Sequence, residues 1–160
     1  LIYFIIISLS GCSYISNQSK ETAIIDCPSV YFSSENSIYA DGSNEDFDLE
    51  KVNYKASLNN YGFVGNCVAD QQYNSFILDI LILIEPINPR NEIVNLPIFV
   101  LIYDSENNLV DKQYFRINDN LKFNSEKSIY EITDVIGSLN IYTDLEKQIN
   151  YITIGFVKIN

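Results

Sequence analysis

Apolar and polar residues alternate along much of the chain after residue 50. From Val52 to Leu58 every second residue is apolar and the residues between them are polar. A repeat of two places alternate side chains on opposite faces of a strand, so it predicts a strand with one buried and one hydrated face. The same alternation resumes over Tyr61–Cys67, after a bend predicted at Asn59 and Asn60.

A second apolar segment, Phe76–Ile84, is apolar at almost every position. Side chains on both faces of a strand are apolar when the strand lies inside a sheet, so this segment is predicted to be a central strand. The polar run Asp104–Asn108 has the composition of a hairpin turn. Four further strands are predicted at Ile98–Tyr103, Leu109–Ile117, Ser128–Val135 and Tyr151–Ile159.

The strand pattern determines the predicted fold class. No segment of the sequence carries apolar residues at the i, i+3, i+4, i+7 spacing over the length of a helix. Seven or eight short strands separated by turns predict an all-β protein, an antiparallel immunoglobulin-like β-sandwich. A small β-barrel is the alternative.

The first twelve residues have a different character. Leu1–Gly11 is uncharged and mostly apolar, but it is shorter than the roughly 20 residues needed to span a bilayer. Such a run is typical of the apolar part of a signal peptide, within which we expect the sequence to begin. The residues Leu9-Ser10-Gly11-Cys12 resemble the lipobox of bacterial lipoproteins. The resemblance implies cleavage before Cys12, a diacylglyceryl group on its sulfur and an acyl chain such as palmitate on the new N-terminus. A Cys that ends an ordinary signal peptide, or a buried N-terminal strand, is the alternative.

We therefore divide the chain into a signal peptide (1–11), a lipid-anchored tether (12–23) and one β-sandwich domain (24–160). Ser13–Thr22 is polar and rich in serine, and a flexible coil of ten residues reaches on the order of 17 Å. The domain is thus expected close to a bacterial envelope membrane. In lipoproteins of bacteria with two membranes, Asp after the acylated Cys favours the inner membrane. Ser13 stands there, which favours the periplasmic face of the outer membrane.

The two remaining cysteines, Cys27 and Cys67, form an even pair. Exported proteins enter an oxidising compartment in which two thiols usually pair, so a disulfide is predicted between them. Two buried reduced thiols are the alternative.

Composition and charge exclude several functions. The chain has 10 basic and 21 acidic residues and a net charge of −11. This balance argues against nucleic acid as a partner and against a basic membrane-binding patch. The sequence contains no His, which removes Ser-His-Asp and Cys-His catalysis and the usual zinc sites. We therefore predict no catalytic residue, no cofactor and no metal ligand.

Two acidic segments could supply the oxygen ligands of a calcium site. Asp41, Glu45, Asp46 and Asp48 could supply oxygen ligands, but an EF-hand loop needs Gly at its sixth position, where Asp46 stands. Asp104 and Glu106 have similar oxygens within the predicted hairpin turn. A solvated acidic loop and an ordinary turn are the preferred interpretations. A pair of carboxylates for glycoside hydrolysis stays open, because its spacing is spatial rather than sequential.

Four short motifs resemble a known group of proteins: Asp26-Cys27-Pro28, Gly65-Asn66-Cys67, Pro97–Asp104 and Tyr151–Phe156. Together they resemble small, uncharacterised envelope lipoproteins of alphaproteobacteria. The resemblance implies a lipid-anchored β-sandwich domain in the envelope, and it implies no activity.

The predicted function is that of a non-enzymatic binding or assembly module with an envelope protein as partner. A carboxylate-dependent envelope hydrolase and a small-ligand or calcium-binding lipoprotein are the alternatives. The connection Pro86–Pro97 contains three prolines, which would stiffen an exposed loop, so it is the first candidate contact site. The twelve tyrosines could stack on sugars, but most are expected at inward positions of strands.

Overall fold

The computed structural model describes residues 22–42, 49–145 and 148–158. In these ranges the chain forms twelve strand segments and one short 3-10 helix, Leu49–Lys51. Sheet A contains β1 (Ala23–Ile25), β3 (Ile38–Ala40), β4 (Tyr54–Phe63), β5 (Cys67–Ala69), β6 (Tyr73–Pro86) and β11 (Thr133–Asp144). Sheet B contains β2 (Ser29–Phe32), β7 (Ile93–Tyr103), β8 (Leu109–Asn120) and β12 (Tyr151–Phe156). A hairpin of β9 (Lys122–Asn124) and β10 (Ile129–Glu131) connects the two sheets.

Strand β6 is the centre of sheet A. Strand β11 pairs with it over Tyr73–Ile84 on one side, and β4 and β5 pair with it in succession on the other. The two short strands β1 and β3 then pair with β5 and β4. Between β4 and β5 the backbone of Gly65 has a φ of +74°, which a residue without a Cβ adopts at little cost. β6 therefore pairs with β4 before this bend and with β5 after it.

Sheet B has the order β2-β12-β7-β8. Strand β2 is parallel to β12, whereas β12–β7 and β7–β8 are antiparallel. The chain passes from sheet A to sheet B at Asp26–Pro28, so β2, which follows this crossing, lies beside the last strand β12 in sheet B. In the described part of the chain neither sheet closes on itself, and the architecture is a β-sandwich.

The core lies between the two sheets and follows the repeat of two. On β6 the even-numbered residues from Asn74 to Ile84 are buried, and on β11 the odd-numbered residues from Thr133 to Thr143 are buried. The largest fully buried side chains are Tyr54, Phe156, Leu78, Ile80, Ile82, Ile84, Leu96, Ile98, Ile102, Leu139, Ile141 and Ile152. Burying a Leu or Ile side chain stabilises a fold by roughly 1.5–3 kcal/mol, so this layer dominates the folding energy.

The prediction of a β-sandwich is confirmed. The twelve segments join into eight strands across four short breaks, at Asp26–Pro28, Val64–Asn66, Leu121 and Ile132. The central position predicted for Phe76–Ile84 and the hairpin around Asp104–Asn108 are also confirmed. β1 includes Ala23, the last residue of the predicted tether.

The connection from Pro86 to Pro97 differs from the prediction. Residues Ile93–Pro97 belong to β7, and Val94 and Leu96 are completely buried. The loop proper is therefore short, and Arg90 fastens it to the neighbouring backbone by donating from its guanidinium to the carbonyl of Glu50 (3.3 Å). Alternating burial, rather than the proline content, determines where the strand begins. The exposed loop is therefore limited to residues 87–92, and its role as a contact site stays a prediction.

Candidate binding surface

The predicted disulfide is present. Cys27 and Cys67 are bonded, and their Cα atoms are 5.3 Å apart, within the range that a disulfide spans. Cys67 is fully buried in the core, and Cys27 lies where the chain leaves β1 for sheet B. The bond therefore fixes the entry of the chain into the domain. Cys12, the predicted lipidation site, lies outside the described residues.

Asp41 and Asp104, two of the candidate calcium ligands, accept hydrogen bonds from nearby protein groups. The side-chain amide of Asn53 donates to Asp41 Oδ2 (2.6 Å). Glu45, Asp46 and Asp48 lie outside the described residues. Asp104 accepts hydrogen bonds from the backbone N–H groups of Glu106 (2.8 Å) and Asn108 (2.9 Å), as expected for a turn. Within the ranges that the structure covers, no three His, Cys, Asp or Glu residues are grouped so as to hold a metal ion.

Among the carboxyl groups that the structure describes, Asp104 and Glu131 have shifted pKa values, and both shifts are downward. Hydrogen bonds from the backbone and side chain of Asn108 lower the pKa of Asp104. Hydrogen bonds from Asn124 and Lys127 lower the pKa of Glu131. A carboxyl group that acts as a general acid near neutral pH needs a raised pKa. These two groups therefore have the electrostatics of turn and hairpin residues.

The expectation that most tyrosines point inward is wrong. Of the ten tyrosines in the described ranges, Tyr54 is the one that is fully buried, and five are exposed. On the outer face of sheet B the rings of Tyr103 and Tyr151 stack on each other at 4.7 Å, and Tyr31 meets Tyr151 edge-on. Cross-strand aromatic pairs explain these outward positions. Because the rings of Tyr103 and Tyr151 face each other, those two faces are not presented to a sugar.

The free edge of β11 is the most distinctive surface of the domain. In the described part of the chain β11 pairs with β6 alone, so its other edge has no partner strand. The strand has twelve residues, about 36 Å in length, and carries no charge between Asp134 and Asp144. Proteins usually protect long edge strands with charged residues or proline, since an open edge can pair with another chain. β8, the long edge strand of sheet B, carries such charges at Lys112, Arg116 and Asp119, and β2 forms the other, shorter edge of that sheet.

Three hydrogen bonds show which backbone groups of β11 point toward the free edge. The carbonyl of Tyr142 accepts from Gln113 Nε2 of β8 (2.6 Å), so it points away from β6. On β6 the carbonyls of Ile77 and Tyr73, each an odd-numbered residue, accept from Val64 and Asp70 on the side away from β11. In an antiparallel pair the two residues of a register position point their N–H and C=O groups either toward each other or away from each other, and the two arrangements alternate along the strands. The N–H and C=O groups of the even-numbered residues of β11 therefore point outward.

The outer face of sheet A beside this edge is largely apolar. Ile136 and Tyr142 on β11 are 66% and 58% exposed, and Ile77 on β6 is 40% exposed. Leu81 and Leu83 of β6 are half-buried on the same face. Ser138 donates a hydrogen bond to its cross-strand partner Asp79, so the carboxylate in the middle of this face has a partner. The free edge thus continues into an apolar sheet face. We refer to Asp134–Asp144 of β11 as the open edge.

The inner side of β11 is closed by β8. A Cβ on Gly137 would lie 2.1 Å from Cδ1 of Ile117, so the Ile117 side chain occupies the space above the glycine backbone. Toward the other end of β11, the amide of Gln113 bridges to Tyr142. These contacts hold β11 in place without occupying its edge between Ile136 and Asn140. The open edge is thus a fixed part of the sandwich.

The predicted strand Ser128–Val135 ends too early, since it includes only the first three residues of β11. The signal was present: Val135, Leu139 and Ile141 continue the alternation, and Gly137 takes the inward position between them.

None of the described helices is long and apolar enough to cross a membrane. Comparisons with protein-family models, with curated proteins and with solved structures found no match to this chain.

Proposed function

We propose that this protein is a lipid-anchored lipoprotein of the bacterial envelope that acts as a non-enzymatic binding module for another envelope protein. The observation that carries the proposal is the open edge, a long strand edge with no charge between Asp134 and Asp144, fixed on a disulfide-linked β-sandwich. Unpaired strand edges bind extended segments through backbone hydrogen bonds. A surface that would favour aggregation in a free protein is readily explained if it has a partner.

The proposed anchor is Cys12, on the periplasmic face of the outer membrane. It is supported by the lipobox-like sequence Leu9-Ser10-Gly11-Cys12 and by the short polar segment before β1. Mass spectrometry of protein extracted from membranes should find Cys12 as the N-terminal residue, carrying acyl groups. A mature protein that begins elsewhere, with a free Cys12 thiol, would contradict the anchor.

Site-specific photo-crosslinking in living cells tests the binding function. A photoreactive amino acid replaces Ile136, beside the open edge, or Tyr114, on the outer face of sheet B. The two side chains are similarly exposed, at 66% and 61%, so Tyr114 is a matched control. We expect position 136 to give a discrete crosslinked envelope protein that position 114 does not give.

Two results would overturn this proposal. One is crosslinking of equal yield and pattern at both positions, which would indicate random encounters. The other is hydrolysis of an envelope glycan by the purified protein, which would show that the domain is an enzyme.

A further inference from the structure

We infer that the open edge binds an extended partner segment that is uncharged in its middle and carries Lys or Arg at both ends. The segment would add to sheet A as a strand beside β11. This inference rests on the proposed function and specifies the chemistry of its partner. It follows from three properties of the open edge: the direction of its backbone groups, the position of its charges and the side chains behind it.

The backbone groups determine the length of the segment. The outward N–H and C=O groups belong to Ile136, Ser138, Asn140 and Tyr142, and the carbonyl of Tyr142 is held by Gln113. An added strand can therefore form the ladder of an antiparallel pair along this stretch. A segment that also faces both ends of the open edge, from Asp134 to Asp144, needs eleven residues.

The charges of the open edge determine the ends of the segment. The even-numbered side chains of β11 lie on the outer face, and of these Asp134 and Asp144 are charged. They stand at the two ends of the edge, about 33 Å apart. Opposite charges directly across a strand pair are favourable and like charges are unfavourable. Against a chain with a net charge of −11, a segment with basic ends is complementary.

The side chains behind the edge determine the inward positions of the segment. Residues of an added strand that lie opposite the buried side of β11 would point toward β8. Phe115 of β8 is half-buried there and packs against the core, next to Ile117. Apolar residues at these alternate positions would cover Phe115 and extend the core. The inferred segment therefore has apolar residues at its inward-facing positions.

A second copy of this chain fits the open edge less well. Two copies would bring together two proteins that each have a net charge of −11. Neither open edge carries a basic residue that could pair with Asp134 or Asp144 of the other copy. Charge complementarity thus favours a different protein as the partner.

Binding of a designed peptide to the full-length protein in detergent tests the inference. The probe is an eleven-residue peptide with Lys at both ends and alternating Val and Thr between them, labelled for fluorescence anisotropy. The matched peptide has Glu in place of both Lys residues. We expect the Lys peptide to bind at least about tenfold more tightly than the Glu peptide, and less tightly as salt is raised.

Two pairs of variants locate the binding site. Asn140→Pro removes an outward N–H without removing a hydrogen bond to β6, and Asn140→Thr keeps that N–H. Ile136→Lys places a charge beside the open edge, and Tyr114→Lys places one on the outer face of sheet B. We expect Asn140→Pro and Ile136→Lys each to weaken binding about tenfold or more, and the two controls to bind like the wild type. Thermal unfolding shows whether each variant is folded, and Ile136→Lys remains decisive if the proline variant is not.

Three results would overturn the inference. They are absence of peptide binding, equal binding by all four variants, and self-association of the chain that Ile136→Lys abolishes. The last would make a second copy the occupant of the open edge. Crosslinking at position 136 in cells with no peptide binding would leave the binding function intact and reject only the inferred chemistry of the partner.

Discussion

The disulfide between Cys27 and Cys67 is expected to supply a large share of the stability of this domain. It closes a loop with a sequence separation of 40 residues. It also joins the junction of β1 and β2 to β5, so it ties the first strand of sheet A and the first strand of sheet B to the core. Reduction of this bond is the perturbation whose effect can be worked out most directly.

The magnitude follows from the length of the loop. For about 40 residues the chain-entropy model gives about 4 kcal/mol at 25 °C, and native disulfides of small exported domains contribute about 2–5 kcal/mol. Domains of this size have free energies of unfolding of about 5–15 kcal/mol. A loss of about 4 kcal/mol would be between about a quarter and four-fifths of that stability. Reduction should also increase the urea m-value, because the unfolded chain becomes less compact.

Urea unfolding of the oxidised and the reduced wild-type protein measures this difference without any substitution. The double variant Cys27→Ala/Cys67→Ala serves as a control, and it should be less stable than the reduced protein by about 1 kcal/mol, because Cys67 is fully buried and truncation leaves a small cavity. Hydrogen exchange should show the largest loss of protection at Ala23–Ile25, the strand that precedes Cys27. Equal midpoints and m-values in both redox states would refute this reasoning. So would envelope-derived protein in which both thiols are open to alkylation.

Two further substitutions test the packing. Tyr54→Phe should cost about 1–3 kcal/mol in urea unfolding, because the Tyr54 hydroxyl donates to the carbonyl of Asn95 (3.1 Å) and accepts from its N–H (3.0 Å). Burial raises the pKa of Tyr54 above the ordinary 10.0, so the unfolded chain loses this proton at a lower pH than the folded protein does. The contribution of Tyr54 to the free energy of unfolding should therefore be complete below about pH 10 and decline above it. The decline should be less steep in Tyr54→Phe. Gly155→Ala should cost about 1–3 kcal/mol, because its Cβ would lie 2.5 Å from the ring of Phe99, and Phe99→Leu should restore part of the loss; an additive double variant would contradict this contact.

The alternation of apolar and polar residues predicted much of the fold, because each strand buries one face in the same core. The strands around Tyr54, Leu78, Val100 and Ile154 could be located in this way. The central place of β6 could also be predicted, since its outward residues Leu81 and Leu83 are apolar as well. The disulfide was predictable from the even number of remaining cysteines and from the predicted signal peptide, and the two Cα atoms lie 5.3 Å apart, within the range that a disulfide spans.

Other features depend on contacts between distant residues. The parallel pairing of β2 with β12 joins Ser29–Phe32 to Tyr151–Ile154, and no local pattern encodes it. The inward side of β11 contains Gly137, whose place in the core depends on Ile117 of another strand. In a sequence, a glycine within an alternating pattern predicts a break in the strand unless its partner on another strand is known. For this reason the open edge, which has no motif and no charged cluster, is visible only when the sheet is assembled.

The register of sheet A relates the open edge to the anchor. Ala23, Ala69, Asn74 and Thr143 are successive cross-strand partners, so they form one row across the sheet. The chain enters the domain at this row, which is also the end of the sheet at which β11 finishes. If Cys12 carries the lipid, the Asp144 end of the open edge is the end nearer the tether, and Asp134 lies at the distant end. A partner strand that is antiparallel to β11 would then begin near the tether and run toward the opposite end. A membrane-anchored partner would meet this geometry most simply with a segment just after its own anchor.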